Sequence, residues 1–358
     1  MSVFLLFVSF GIVYLVQFFV KKILLWSKLP PGPWGVPLLG SVPFLGGGPL
    51  HLKLDSLRKK HGDVFTVGVF HKEVVVLSDW ESVRDFFGRL DFSGRPDALL
   101  FRQVALGNNG IVSSQGSLWQ ENRRFTLRVL RDFGLGKREA LDSMIQDAAL
   151  GLCRSLRARR HEPQDFGPHL NLAVLNVIWK MTADKQFAHD DPRMQDFMDR
   201  VLEVLNDSSL LGPIQWVPAF VYLWPPALKA YRRVNRNMAA ISQIFLNEVE
   251  EHKRNLPSSG GSKDYIDAYL TEMALQKSRG EVNPNFTEFQ LRVNISDLFI
   301  AGSESTATAI RWSVLFLLCH PDVQEKLQAE VDSVVGHDRL PSLHDRNRFE
   351  RDGGWHPS

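Results

Sequence analysis

Cysteine is almost missing: Cys153 and Cys319 are the only two in 358 residues. They lie far apart in helix-like apolar contexts, so a disulfide framework is excluded. Both read as reduced core residues in a reducing compartment. An excess of one charge is missing too. Against 40 Asp and Glu stand 42 Lys and Arg, a formal net charge of +2, which gives no case for nucleic-acid binding. No internal repeat is visible. Between Thr287 and Pro321 there is no proline, and the chain has no obvious reason to break there.

Charge is also locally absent. From residue 3 to residue 20 the only strongly polar side chain is Gln17, and Lys21 and Lys22 end the run. That is the lower end of a bilayer-spanning length. A cleavable signal peptide would show a basic start and a small-residue cleavage site, and neither is there. With Lys28, positive charge lies on the C-terminal side, so the positive-inside rule puts the body in the cytosol. The plainer reading is a buried core helix. Sequons at Asn206, Asn285 and Asn294 would go unused in a cytosolic body.

The proline-free stretch organises the rest. Thr287 with Gln290 predicts a capping-box start, and a helix on to Leu318 would be roughly 48 Å long. From Leu298 onward it is apolar on nearly every face, as in a helix buried through a domain. Yet its centre reads Ala301-Gly302-Ser303-Glu304-Ser305-Thr306. A mid-helix glycine costs roughly 1 kcal/mol relative to alanine, and an acid with three hydroxyls must find partners. A local violation of this kind marks a functional site.

What the chain has in quantity is phenylalanine (24) and tryptophan (9), enough for a large apolar interior or a membrane contact. Proline is concentrated in Leu29-Pro30-Pro31-Gly32-Pro33-Trp34-Gly35-Val36-Pro37-Leu38-Leu39-Gly40, a stiff spacer or a plain linker. Valine-rich runs at 63–70 and 72–78 predict a hairpin. Helical spacing recurs at 51–61, 79–87, 139–160, 171–180, 194–205, 231–256, 264–276 and 323–335. The stretch 210–231 is aromatic and broken by proline, either dipping into a lipid interface or lying as a covered loop. Trp119 and Arg123, four apart, share a helix face. They read as donors to a carboxylate or as a cation–π pair.

Taken in order, these pieces resemble the N-terminal part of a cytochrome P-450, a haem-thiolate monooxygenase of the microsomal, family-2-like kind. The likeness rests on the proline hinge, FSGRP, GIVSSQG, WQENRRF, DLFIAGSEST and HPDVQEKLQAEV. It implies a mainly α fold with a long central helix and a small β hairpin near the N-terminus. It divides the chain into an anchor (1–22), a hinge (29–40), a partial P-450 domain (41–346) and a polar tail (347–358). By position, Arg95, Trp119 and Arg123 correspond to partners of the haem propionates. Ala301 and Gly302 correspond to the small residues that let the helix pass flat against haem. Glu304 and Ser305 match the acid–alcohol pair implied in proton delivery, with Ser305 where threonine is usual. Val112 and Ser113 correspond to a substrate-lining stretch. The face of Arg124, Arg128, Arg131 and Lys137 resembles a docking surface for an NADPH-dependent reductase, or is a solvated helix face. An apolar small-molecule substrate, dioxygen and an endoplasmic reticulum membrane follow from the same resemblance.

The family's F-x-x-G-x-x-x-C-x-G loop, which carries the axial thiolate, is not in the sequence. Neither Cys153 nor Cys319 sits in that pattern, so no metal ligand is assigned. The fold is therefore expected to be incomplete at the C-terminus, with an open hairpin edge, a central helix uncovered on one side, and no activity. The other reading is a non-catalytic truncated product that binds membrane, lipid or the reductase.

Overall fold

The computed structural model describes residues 2–352 except 47, 71, 97–98, 105, 136–137, 159–160, 164, 189–190, 212–217, 257–260 and 281–282. In chain order the elements are α1 (Ser2–Trp26), α2 (Val42–Leu45), α3 (Leu50–His61), β1 (Val64–Val69), β2 (Lys72–Leu77), α4 (Trp80–Phe87), α5 (Leu99–Val104), α6 (Gly116–Leu130), α7 (Arg138–Ala158) and α8 (Gly167–Ala183). Then come α9 (Pro192–Leu211), α10 (Pro218–Leu223), α11 (Pro225–Asn255), α12 (Tyr265–Ser278), α13 (Glu288–Cys319), α14 (Pro321–Val334) and α15 (Arg346–Asp352). The chain divides into two compact units, residues 1–100 with 209–231, and residues 101–208 with 232–358.

The first unit holds the hairpin. β1 and β2 pair antiparallel, from Val64 opposite Leu77 to Val69 opposite Lys72. The proline-rich stretch is more than a spacer here, because it docks along β1. Thr66 N donates to the Pro31 carbonyl at 2.8 Å, and Ser41 N to that of Gly68 at 2.6 Å. A Cβ on Gly32 would come 1.8 Å from the Thr66 carbonyl oxygen, so only glycine allows this approach. Docking covers the β1 edge and buries Phe65 and Val67; β2 keeps the open edge, with Val74 and Val75 exposed. In the aromatic stretch, Val221 and Ala227 bury against Leu99 and Tyr231. Its neighbours Tyr222, Leu223 and Trp224 face out.

The span read at residues 3–20 falls within α1, where the side chains of residues 3–8, 10 and 11 lie outside the described ones. Among the described residues no helix is long and apolar enough to cross a membrane.

The second unit is built on α8. Its sequence is apolar on most faces, and Leu170, Leu172, Ala173, Leu175, Ile178, Trp179 and Ala183 are all buried. Here the phenylalanines find their use. Trp179 lies 4.5 Å from Phe299, Phe245 5.1 Å from Phe299, and Phe197 5.9 Å from Phe245, measured between ring centres. These rings join α8, α9, α11 and α13 in tilted and edge-on contacts.

α13 is a continuous helix over the range read from the sequence, and the expected uncovered side is there. What is corrected is the reading of a helix buried from Leu298 onward, and that of two core cysteines. Leu291, Val293, Ile295 and Phe299 in its first half are buried, whereas beyond Leu298 only Phe299, Ser303 and Ala307 are. Ile310, Trp312, Leu315, Phe316 and Leu318 are exposed, since no described element covers that face. Cys153 and Cys319 are exposed rather than core residues.

Candidate functional site

Thr287 caps α13, its Oγ1 accepting from Gln290 N at 3.2 Å. The Gln290 side chain does not close the box. Its Oε1 accepts from Gly110 N at 3.0 Å, and its Nε2 donates to Asn109 Oδ1 at 2.6 Å. Further along the helix Asp297 Oδ2 accepts from Ile111 N at 2.7 Å and from Val112 N at 2.9 Å. The first half of α13 thus clamps the 109–112 loop with two side chains. Gly110 turns there at φ 75, and a Cβ on it would fall 2.3 Å from Asp297 Oδ2. Burial pushes the Asp297 carboxyl up to about 6, against the two amide bonds that favour its ionised form. Of the two substrate-lining candidates beside it, Val112 is exposed and Ser113 buried.

At the polar centre of α13 the hydroxyls are satisfied locally. Ser303 Oγ donates to the Phe299 carbonyl at 2.7 Å, and Ser305 Oγ to that of Ala301 at 2.6 Å. Glu304 Oε1 accepts from Thr308 Oγ1 at 2.9 Å and from Arg311 Nη2 at 2.5 Å. Its Oε2 is buried without a hydrogen-bond partner among the described residues. Ala301 and Ser305 lie on the exposed side of the helix. Gly302 faces α8, where a Cβ would sit 2.8 Å from Ile178 Cδ1. That packing is a reason for glycine independent of any cofactor.

On α6 the Arg123 guanidinium lies 5.5 Å from the Trp119 ring centre. Between them Asn122, fully buried, locks α6 to α12 and α13. Its Oδ1 accepts from Asn294 Nδ2 at 2.7 Å and from Tyr269 OH at 3.1 Å. Tyr265 OH, beside Thr126 Oγ1 at 2.8 Å, accepts from the same Asn294 amide at 3.3 Å. The second unit therefore brings Trp119, Arg123, Val112 and Ser113 onto segments pinned directly to α13. Arg95 belongs to the first unit, where its Nη1 reaches the Ser93 carbonyl at 3.5 Å. Arg124 and Arg128 are exposed on α6, as is Arg131 just beyond it; Lys137 lies outside the described residues.

Asp297, Asn122 and Asn294 were missed as holding residues by sequence reasoning, and Gln290 was read only as a capping-box partner. The available signal was a polar residue at positions 290, 294 and 297, on the side of the helix that also carries Leu291 and Val293.

The family model for cytochrome P450 matches residues 30–350. The chain is 34% identical to cytochrome P450 2L1 of Panulirus argus, over 90% of this chain and 66% of that protein. It is 34% identical to cytochrome P450 2C28 of Mesocricetus auratus (90% and 65%), and 32% to cytochrome P450 2E1 of Mus musculus (91% and 65%). This chain belongs to the cytochrome P450 family. Within it the relatives just named are of family 2, the microsomal type, and the chain spans about two thirds of their length.

Haem is the cofactor of this family. In their chemistry the exposed Ala301 and Ser305 and the unfilled Glu304 oxygen suit one face of such a group, and the N–H groups of Trp119 and Arg123 suit its carboxylates. An axial thiolate from Cys319 does not fit. It lies 18 residues beyond Ala301 on one helix, roughly 27 Å along the axis at 1.5 Å per residue. Cys153 is exposed in the body of α7.

Proposed function

We propose that this chain contributes the oxygen-side wall and the propionate edge of a haem pocket in a monooxygenase. The whole enzyme oxidises an apolar small molecule with dioxygen, using electrons from an NADPH-dependent reductase. The observation that carries this reading is the polar break in α13: Ala301 and Ser305 on an uncovered face, with Glu304 holding one oxygen unfilled beside them. Haem, when bound, would supply the redox chemistry. Trp119 and Arg123 would hold its carboxylates by charge-assisted bonds. Ala301 would leave room for the ring, whereas Gly302 serves the packing of α13 on α8. Ser305 would orient a proton donor and Glu304 relay protons to it. Val112 and Ser113 would border the substrate, on a loop whose position Asp297 fixes.

In the same reading residues 1–22 anchor the chain in the endoplasmic reticulum membrane, supported by the uncharged run at 3–20. Residues 29–40 lead into the body (41–346), which a polar tail (347–358) follows. The basic residues of α6 face the reductase. A non-catalytic membrane- or lipid-binding role is the second reading, favoured by the exposed Tyr222, Leu223 and Trp224.

Ferric haem titrated into the detergent-solubilised chain tests the proposal through the Soret band. Arg123→Gln is expected to weaken binding at least about tenfold, the loss of a charge-assisted pair. Equal affinity of the wild type and the Arg123→Gln and Trp119→Phe variants would sink the assignment. The carbon-monoxide difference spectrum of the reduced sample is expected to lack a thiolate-type band. Its presence would mean that Cys153 or Cys319 reaches the iron after all.

A further inference from the structure

A second cluster of ligating side chains lies away from α13's polar centre, where the end of α11 meets the start of α12. His252 Nδ1 is 2.8 Å from the Glu248 carbonyl, so the ring is held with Nε2 turned toward α12. There Nε2 lies 3.1 Å from Asp264 Oδ2. The other oxygen, Asp264 Oδ1, caps α12 by accepting from Asp267 N at 2.9 Å. Asp264 and Asp267 are 2% and 4% exposed. One ligand atom each from His252, Asp264 and Asp267 falls within 4.8 Å of the other two. A cavity of about 170 Å³ opens on all three.

Charge at this place is unbalanced. Glu248 and Glu251 from α11, Asp264 and Asp267 at the start of α12, and Asp184 after α8 stand against Lys185, Lys263 and Lys180. Lys185 is engaged with the two glutamates, at 2.8 and 3.0 Å, and Lys180 with Asp184 at 2.5 Å. With a neutral imidazole, five carboxylates face three ammonium groups, a deficit that a dication would match.

We propose that His252, Asp264 and Asp267 form a binding site for a divalent first-row transition-metal ion, with zinc the best match. Imidazole nitrogen and carboxylate oxygen are both zinc ligands, and three protein ligands with water in the fourth position is an open zinc site. The second ring nitrogen bonded to a backbone carbonyl is the outer-sphere partner such a histidine takes. The 3.1 Å between Nε2 and Asp264 Oδ2 is close to the roughly 3.3 Å between neighbouring ligands on a tetrahedral ion with bonds of about 2.0 Å. Asp267 Oδ2 accepts from Lys263 N at 3.3 Å, a long bond that the carboxylate would give up in turning to become the third ligand. Asp264 keeps its capping oxygen and offers the other, so the metal does not compete with the start of α12. The ion would tie the ends of α11 and α12 together across the connection between them.

Burial opposes charging His252, but the bonds to Asp264 and the Glu248 carbonyl outweigh it and push the imidazole of the metal-free chain up to about 9.

The test uses the full chain in detergent, stripped with chelator, without added haem, and titrated with zinc chloride by calorimetry. Cobalt(II) serves as a spectroscopic reporter. The chain has 11 histidines, so the reading is the difference between the wild type and variants. The wild type is expected to bind a zinc ion that His252→Gln does not, with cobalt bands of tetrahedral type lost in the variant. Asp267→Asn, which leaves the Asp264 cap in place, is expected to weaken zinc at least about tenfold. Circular dichroism monitors folding, and if His252→Gln unfolds then Asp267→Asn decides. Equal zinc binding by the wild type and Asp267→Asn overturns the site. So does a wild type that takes up no zinc; the cluster is then a histidine–aspartate ion pair alone.

Discussion

Arg311 Nη2 lies 2.5 Å from Glu304 Oε1, seven residues back along α13, and 3.1 Å from Thr308 Oγ1 on the way. The guanidinium reaches back over two helical turns to hold the acid that the resemblance assigns to proton relay. The side chains are 36% and 21% exposed, so solvent screens the pair in part. Arg311→Met is expected to lower the unfolding free energy by about 1–2 kcal/mol, since it leaves a half-buried carboxylate with one remaining hydroxyl donor. Glu304→Ala in the same background should then cost less than it does alone, by about 1 kcal/mol. Urea unfolding followed by tryptophan fluorescence measures both; strictly additive losses would show that the pair contributes nothing.

Asp297 carries a pH dependence whose sign runs against the usual carboxylate. Its folded pKa of about 6 lies above the ordinary 3.8 because burial disfavours the charge. Between these values the folded state binds the extra proton, so stability from this group is fully present below about 4 and is lost as pH rises through 6. At about 1.4 kcal/mol per unit this amounts to roughly 3 kcal/mol. Asp297→Asn keeps an oxygen for the Ile111 and Val112 amides and removes the charge. It is expected to flatten the stability profile between about pH 4 and 6 and to equal or exceed the wild type at neutrality. Asp297→Ala removes the oxygen as well, and should raise hydrogen exchange at Ile111 and Val112 whatever the pH.

Two glycines separate tolerable from intolerable crowding. At Gly302 an added Cβ meets the Ile178 Cδ1 methyl at 2.8 Å, the movable end of a side chain. A helical alanine gains roughly 1 kcal/mol over glycine, so Gly302→Ala should change stability by under about 1 kcal/mol, and Ile178→Val should turn it favourable. At Gly110 the Cβ meets Asp297 Oδ2 at 2.3 Å and Val293 Cγ1 at 2.7 Å, on a backbone at φ 75. Gly110→Ala is expected to cost about 3 kcal/mol through strain and overpacking together. Thermal unfolding of the three variants orders them.

The long helix was legible because its signals are local: a cap at Thr287, no proline until Pro321, and a run of apolar residues. The hairpin was legible for the same reason. What holds the candidate site was not, because the partners are remote. Asp297 meets Ile111 across 186 positions and Asn294 meets Asn122 across 172. A single asparagine or aspartate in a helix looks the same in sequence whether it faces water or a loop amide. That α13 would be uncovered on one side was expected, but which half is covered was not legible, for a related reason. Leu315 and Leu318 are as apolar as Leu291, and only packing partners decide which is covered. The hinge was read as a spacer because proline density speaks to stiffness, not to the β1 edge against which Gly32 fits.

The uncovered end of α13 makes the last prediction. Trp312, Leu315, Phe316 and Leu318 are 67%, 48%, 53% and 69% exposed. Covering side chains of this size is worth roughly 1.5–3 kcal/mol each, so the face drives association wherever a partner is offered. The chain is expected to bind a hydrophobic dye and to self-associate after detergent dilution. Phe316→Glu with Leu318→Lys should suppress both, by light scattering and dye fluorescence. These positions lose little packing on substitution, so unfolding free energy should move by no more than about 0.5 kcal/mol. A large loss of stability in that double variant would mean that the two side chains are already packed, and that the face is closed in solution.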